Sequence, residues 1–350
     1  MKLLITKTIL IVAIGTVMLL VVSGIVYSID SKDSYKYYED DPILQKINYY
    51  QQHKNQYNTL IVGSSRLYRQ VNPMQLDDQL ADYGLATFNA GTANLRPFRS
   101  IDYLDYLQLS DSVDYLILEL MPPTRIGNNF NANPTIHSIN YQKFGMVLDM
   151  CMHSNYRADL KAYYGTRYFQ AVSYKYLGFG LKKYVSVLLG LETYSMELPF
   201  YDIGNSRGFL PFEQELALHE NQELDRRRDY FESNSAEILE GYRKSALDTR
   251  RSSIEPESDS YQEYLNQIGD GLAKKGVKLI FVISPRKRPW DMEYLLSIKP
   301  NLKYPVIDLS SAAEYPEFFN YRYSFDDTHL NEEGAVVFTR ELAEKLEGLL

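Results

Sequence analysis

Thiol and indole are nearly missing from this 350-residue chain, which has one cysteine, Cys151, and one tryptophan. A lone cysteine excludes an intrachain disulfide and any metal motif built on paired cysteines. Histidine is sparse too: His53, His137, His153, His219 and His329 are scattered. None falls in a His-Glu-x-x-His pattern, so a zinc hydrolase has little support, and no metal or cofactor is expected. Positive charge is in deficit, 37 Lys and Arg against 45 Asp and Glu, for a net charge of −8. With an isoelectric point near 5.3, wholesale nucleic-acid binding is not expected.

A long hydrophobic run occurs once, at the N-terminus. Lys2 and Lys7 flank Thr8–Tyr27, about 20 uncharged, mostly apolar residues, enough to cross a ~30 Å hydrocarbon core as a helix. Asp30, Asp33, Glu39, Asp40 and Asp41 follow it. The positive-inside rule then puts the N-terminus in the cytoplasm and the rest of the chain outside. A cleaved signal peptide is the alternative. The run is longer than a usual signal core and no Ala-x-Ala site ends it, so residues 1–28 are expected to be an uncleaved membrane anchor. Residues 29–56 are polar and tyrosine-rich, a juxtamembrane linker running into a short helix near 41–54. The chain's 31 tyrosines suit half-buried positions, and equally surfaces that stack on sugars.

Regular alternation of strand and helix begins after residue 57. Apolar stretches at Asn58–Ser64, Ala86–Asn89, Tyr115–Leu120, Val277–Ile283 and Val306–Leu309 read as five strands buried on both faces. Helices are expected at Pro73–Tyr83, with Gly84 as its C-cap, and at Pro97–Leu109, Ser258–Lys275 and Asn331–Leu349. Asn331 is the expected cap of the last, with Glu332 and Glu333 in its first turn. The predicted fold is α/β: a mostly parallel five-stranded sheet with helices on both faces, over residues 57–350. Residues 124–255 lack this regularity and read as a largely helical insertion. Within it, Tyr174–Leu191 suggests a core helix or a membrane-surface helix. The Arg226-Arg227-Arg228 run reads as a solvated face or an anion contact.

Two short blocks carry chemistry. Leu60-Ile-Val-Gly-Ser-Ser-Arg66 runs a strand into a glycine and two serines. Ser324-Phe-Asp-Asp-Thr-His329 places Asp326 three residues before His329. A serine at 64 or 65, a histidine base and an orienting carboxylate are the parts of a nucleophilic triad. Either serine also suits a plain turn, and either of Asp326 and Asp327 a helix cap or Asx-turn.

Gly63-Ser64-Ser65-Arg66, Asp326-x-x-His329, the strand order between them and Gly91 in Phe88-Asn-Ala-Gly-Thr92 together resemble the SGNH (GDSL-like) hydrolase superfamily. The resemblance covers residues 55–125 and 255–350. It implies a three-layer, flavodoxin-like fold, with Ser65 as nucleophile, His329 as base and Asp326 as its orienting acid. Ser64 is then the fallback nucleophile, and the backbone N–H groups of Ser65 and Gly91 form the oxyanion hole. Arg66 would contact substrate or brace the turn.

The superfamily's third block places an asparagine after the third strand. Here that strand ends Glu119-Leu-Met-Pro-Pro123, so another donor must serve: Asn94, Asn128, Asn129, Asn131 or backbone groups. The anchor and the missing asparagine resemble a membrane-tethered branch, DltD-like proteins and those of polysaccharide O-acetylation. That likeness implies serine esterase or O-acyltransferase chemistry on a cell-surface or secreted glycan, through an acyl-serine. A membrane-bound O-acyltransferase would be the partner, and an inactive glycan-binding scaffold is the alternative. Exchange of residues 124–255 is expected to alter substrate choice but spare a small activated ester.

Overall fold

A four-residue strand, β1 (Thr59–Val62), opens the sheet with every residue buried. In a computed structural model, residues 2–29, 41–93, 95–124, 138–153, 157–176, 189, 202–218 and 221–350 are described. β1 pairs in parallel with β2 (Thr87–Asn89) on one side and β3 (Tyr115–Glu119) on the other. β3 pairs with β4 (Lys278–Ile283), and β4 with β5 (Val306–Asp308), again in parallel. The order β2-β1-β3-β4-β5 is that of a common doubly wound sheet, whose working crevice lies at the carboxyl ends of the strands where the order reverses. Here that reversal falls between β1 and β3.

Period-two alternation divides the strands between two cores. Leu60, Val62, Leu116, Leu118, Leu279 and Phe281 face one core; Ile61, Ile117, Ile280 and Val282 face the other. The first core is covered by α2 (Asp41–His53), α5 (Pro97–Leu107), α6 (Tyr141–His153), α7 (Ala158–Tyr176), α11 (Ser260–Ala273) and α12 (Pro289–Ile298). The second is covered by α4 (Pro73–Gln79) and α13 (Glu332–Glu347). α2 shows why such helices dock: Ile43, Ile47 and Tyr50 recur at helical spacing and are all buried.

Strand and cap positions follow the sequence expectation closely. A 3-10 turn follows α4 and ends at Gly84, which is left-handed at φ 63°. Asn331 caps α13, accepting from the Gly334 N–H at 2.8 Å. The insertion is helical where it is described: α6, α7, α8 (Ile203–Ser206), α9 (Phe212–Leu218) and α10 (Gln222–Arg251). α10 is 30 residues long and was not foreseen. Only Leu224, Phe231 and Leu239 of it are buried, too few for a hydrophobic period to show. The expected helix at Tyr174–Leu191 lies mostly outside the described residues; α7 ends at Tyr176.

At the N-terminus α1 (Lys2–Ile29) is one continuous helix. Its described side chains run from Thr6 to Val22, with Ile25, and most are exposed. Among the described residues no helix is long and apolar enough to cross a membrane.

Candidate active site

β1 ends at Val62, and Gly63 turns the chain sharply beneath β3. A Cβ at Gly63 would stand 2.8 Å from that of Glu119 and 3.0 Å from that of Leu67, so only glycine permits this approach. The one-turn helix α3 (Ser65–Tyr68) starts at once. Ser64 is its N-cap, accepting from the Arg66 N–H at 3.3 Å. Ser64 also donates its hydroxyl to Glu119 Oε2 at 2.6 Å, and its N–H to the same oxygen at 2.7 Å. Ser64 therefore braces the turn, with its hydroxyl committed to Glu119. Ser65, the first residue of the helix, keeps its side chain part-exposed, and its N–H makes no hydrogen bond among the described residues.

His329 and Asp326 come from a loop pinched shut by an antiparallel bridge between Ser324 and Leu330. The Phe325 N–H donates to His329 O at 3.0 Å inside the pinch. α13 begins directly afterwards, and a Cβ at Gly334 would lie 2.3 Å from Tyr323 O. That close approach explains the glycine at the end of the motif.

The Ser65 hydroxyl lies 2.8 Å from His329 Nε2. On the far side of the ring Nδ1 lies 2.9 and 3.0 Å from the two oxygens of Asp326. With the proton on Nδ1, the ring donates to Asp326 and accepts from Ser65. Three residues expected to meet do so across 264 positions of chain. The carboxylate in place is Asp326, not its neighbour Asp327.

Asp326 is 1% exposed and also accepts the N–H groups of Thr328 and His329, each at 2.8 Å. Burial pushes its carboxyl up, but His329, Arg227 and the Thr328 N–H outweigh burial and hold it well below the usual carboxylate range. Burial pushes His329 below its ordinary value; Asp326 opposes this, while Arg66 and Arg227 add to it. The imidazole is thus neutral at neutral pH, the form a general base needs.

Several residues that the motifs do not reveal hold this arrangement. Glu119, 3% exposed, accepts from Ser64, from Ser284 Oγ at 3.0 Å and from Lys287 Nζ at 2.9 Å. Burial raises its pKa, but Lys287, Ser64 and Arg66 together bring it down to about 2. It bridges β1, β3 and β4 at their carboxyl ends. Arg286 adopts φ 54°, a costly value for a side-chain-bearing residue. Its guanidinium reaches Phe318 O at 2.6 Å, Asp326 O at 3.0 Å and Ser324 Oγ at 2.5 Å, clamping the histidine loop to the end of β4. Arg66 is 3% exposed and donates to Pro285 O and Arg286 O at 3.0 and 3.1 Å. It braces the turn, one of the two roles expected of it.

The insertion reaches the site as well. Arg227 of α10 pairs with Asp326 Oδ2, and its Nη2 lies 3.4 Å from His329 Nδ1. Phe212 at the start of α9 stacks on Phe325 at 4.6 Å and meets the His329 ring edge-on at 4.9 Å. Arg69 lies 3.8 Å over the opposite ring of this pair, that of Phe212. Of the three-arginine run, the middle one is built into the triad. Nothing in the run itself distinguishes it, since the contact spans 99 residues.

Of the two backbone donors expected for an oxyanion, Ser65 and Gly91, the second has a partner of its own. The Gly91 N–H donates to Asn89 Oδ1 at 3.0 Å and is engaged there. Asn89 in turn ties the carbonyls of Leu67 and Val71 at 3.0 and 2.9 Å. Lys46 of α2, buried and far below its ordinary pKa through burial and then Arg69, holds the carbonyls of Asn89, Gly91 and Gly208. One residue beyond Gly91, the Thr92 N–H donates to Gly63 O at 3.0 Å. The Thr92 hydroxyl is buried with no hydrogen-bond partner among the described residues. Asn94, Asn128, Asn129 and Asn131 lie outside the described residues. No group of three or more potential metal ligands occurs among the described residues. In sequence, no family model matches the chain and no curated protein matches it with significance.

Proposed function

We propose that this chain is a serine acyl esterase or O-acyltransferase of SGNH type, held outside the cytoplasmic membrane by α1 and acting on a glycan. The observation that carries the proposal is the Ser65–His329–Asp326 relay, set on the turn after β1 and held by Arg286 to the end of β4. In the first half-reaction Ser65 Oγ attacks the acyl carbonyl while His329 takes its proton. His329 returns that proton to the departing alcohol, leaving an acyl-serine. Water or a sugar hydroxyl, deprotonated by His329, then attacks the acyl-serine, and His329 returns that proton to the departing Ser65 Oγ. The Ser65 N–H and the Thr92 hydroxyl are the donors proposed for the oxyanion, in place of Gly91 and the missing asparagine. A membrane-bound O-acyltransferase is the proposed supplier of the acyl group.

The anchor rests on the exposed apolar side chains of α1, such as Ile9 at 63% and Leu20 at 67%. A helix apolar all round is stable only inside protein or lipid.

Hydrolysis of p-nitrophenyl acetate by the full-length protein, and its loss in Ser65→Ala, tests the enzyme reading. Equal turnover by the two proteins removes Ser65 from the mechanism. The engaged Gly91 N–H favours a second reading, a glycan-binding scaffold in which the relay is unused. That reading expects no Ser65-dependent turnover of any ester.

A further inference from the structure

A groove of about 520 Å³ runs between α10 and the start of α12. Tyr230, Asn234 and Tyr242 of α10 line one wall, Arg288 and Trp290 the other, and Asp327 closes one end. A second hollow of about 330 Å³ shares Tyr230 and Asp327 and continues to Arg227, which pairs with Asp326 of the relay. The groove therefore approaches the site from its acid side.

Its chemistry is uneven for an ordinary surface. α10 is strongly polar, yet Tyr230 stands on it 65% exposed. The chain's sole tryptophan faces the same space, with the Arg288 guanidinium 5.8 Å from its ring centre. Rings of this kind offer flat apolar faces with polar rims. Between them are an amide, a guanidinium and the carboxylates of Glu237 and Asp327. Sugar rings present the matching pair: a C–H face that packs on aromatic rings, and hydroxyl edges that bond to amide, carboxylate and guanidinium. Carboxylates and arginine occur together, so a polyanion gains no net attraction.

We infer that this groove is a subsite for a neutral oligosaccharide chain, stacked on Tyr230 and Trp290, that holds the glycan beside the relay. The inference rests on the glycan reading above and gives it a location.

Because Trp290 is the only tryptophan, its fluorescence reports on this groove and nowhere else. The test uses full-length Ser65→Ala protein in a sugar-free detergent, titrated with cellotetraose, maltotetraose and chitotetraose. At least one tetrasaccharide is expected to shift Trp290 emission saturably. Tyr230→Ala, added to the same protein, is expected to weaken that binding about tenfold. Tyr230 is exposed, so its truncation opens no core; circular dichroism checks the fold. No saturable shift with any of the three up to about 10 mM, or undiminished binding in Tyr230→Ala, overturns the inference. Binding is read without catalysis, so it stands or falls apart from the ester chemistry. Saturable binding in a protein that cleaves no ester upholds the groove and sinks the enzyme.

Discussion

Asp326 divides its carboxylate between His329 and Arg227. A cation at that position lowers the basicity of the imidazole and holds the acid in place at the same time. The base works only when neutral, so turnover is present above the His329 pKa and lost as pH falls through it. That acid limb is expected below the ordinary histidine value of about 6.5. Arg227→Gln removes a lowering influence and should carry the limb to higher pH, read from the pH profile of p-nitrophenyl acetate hydrolysis; an unmoved limb denies Arg227 this positioning role. Thr92→Val keeps the shape of the side chain and removes its hydroxyl. If that hydroxyl serves the oxyanion, kcat drops roughly 10²-fold, and unchanged kcat assigns the donor elsewhere. Glu119→Ala would remove one partner of a buried ion pair, the one Glu119 makes with Lys287, whose side chain is 2% exposed. A loss of about 3–5 kcal/mol in chemical denaturation is expected. The relay's three members were legible because each sits in a short local pattern. Glu119, Arg227 and Arg286 were not, because their side-chain partners are 32 to 168 residues away in sequence and no local period marks them.

Among the elements, the five strands were legible because burial on both faces leaves unbroken apolar runs such as Leu60-Ile-Val62 and Leu279–Ile283. Caps were legible where the side chain acts locally, as with Asn331 and Gly84. α10 escaped notice because few of its 30 residues are buried and ion pairs hold it near both ends. Arg227 near its start meets Asp326, and Arg250 near its end meets Asp308 at 2.9 Å and Ser310 at 2.8 Å. The insertion thus contributes Arg227 and Phe212 to the surroundings of Asp326 and His329. Exchange of residues 202–251 removes both Phe212 and Arg227 from the triad and should slow even a small activated ester, against the expectation drawn from sequence. Phe212→Ala is the milder probe. It strips the ring from Phe325 and His329 and should cost about 3 kcal/mol of stability and lower kcat; full small-ester activity in this variant restores the insertion to a role in selectivity alone.

At the scale of the whole molecule, a doubly wound sheet puts its crevice where β1 and β3 diverge, and the chemistry-bearing groups of distant chain segments gather there. α1 precedes this body by a polar segment, and α2 ties the segment's end to the crevice through Lys46. The protein is expected in the membrane fraction after alkaline extraction, and a chain starting after residue 29 in the soluble fraction. Recovery of both in the soluble fraction removes the anchor. The most direct measurement of the central chemistry is covalent. The full-length protein is treated with a fluorophosphonate, and the adduct is mapped by peptide mass spectrometry. An activated Ser65 takes the label, and His329→Ala suppresses it. No adduct at Ser65, or equal labelling with and without the histidine, contradicts a working relay.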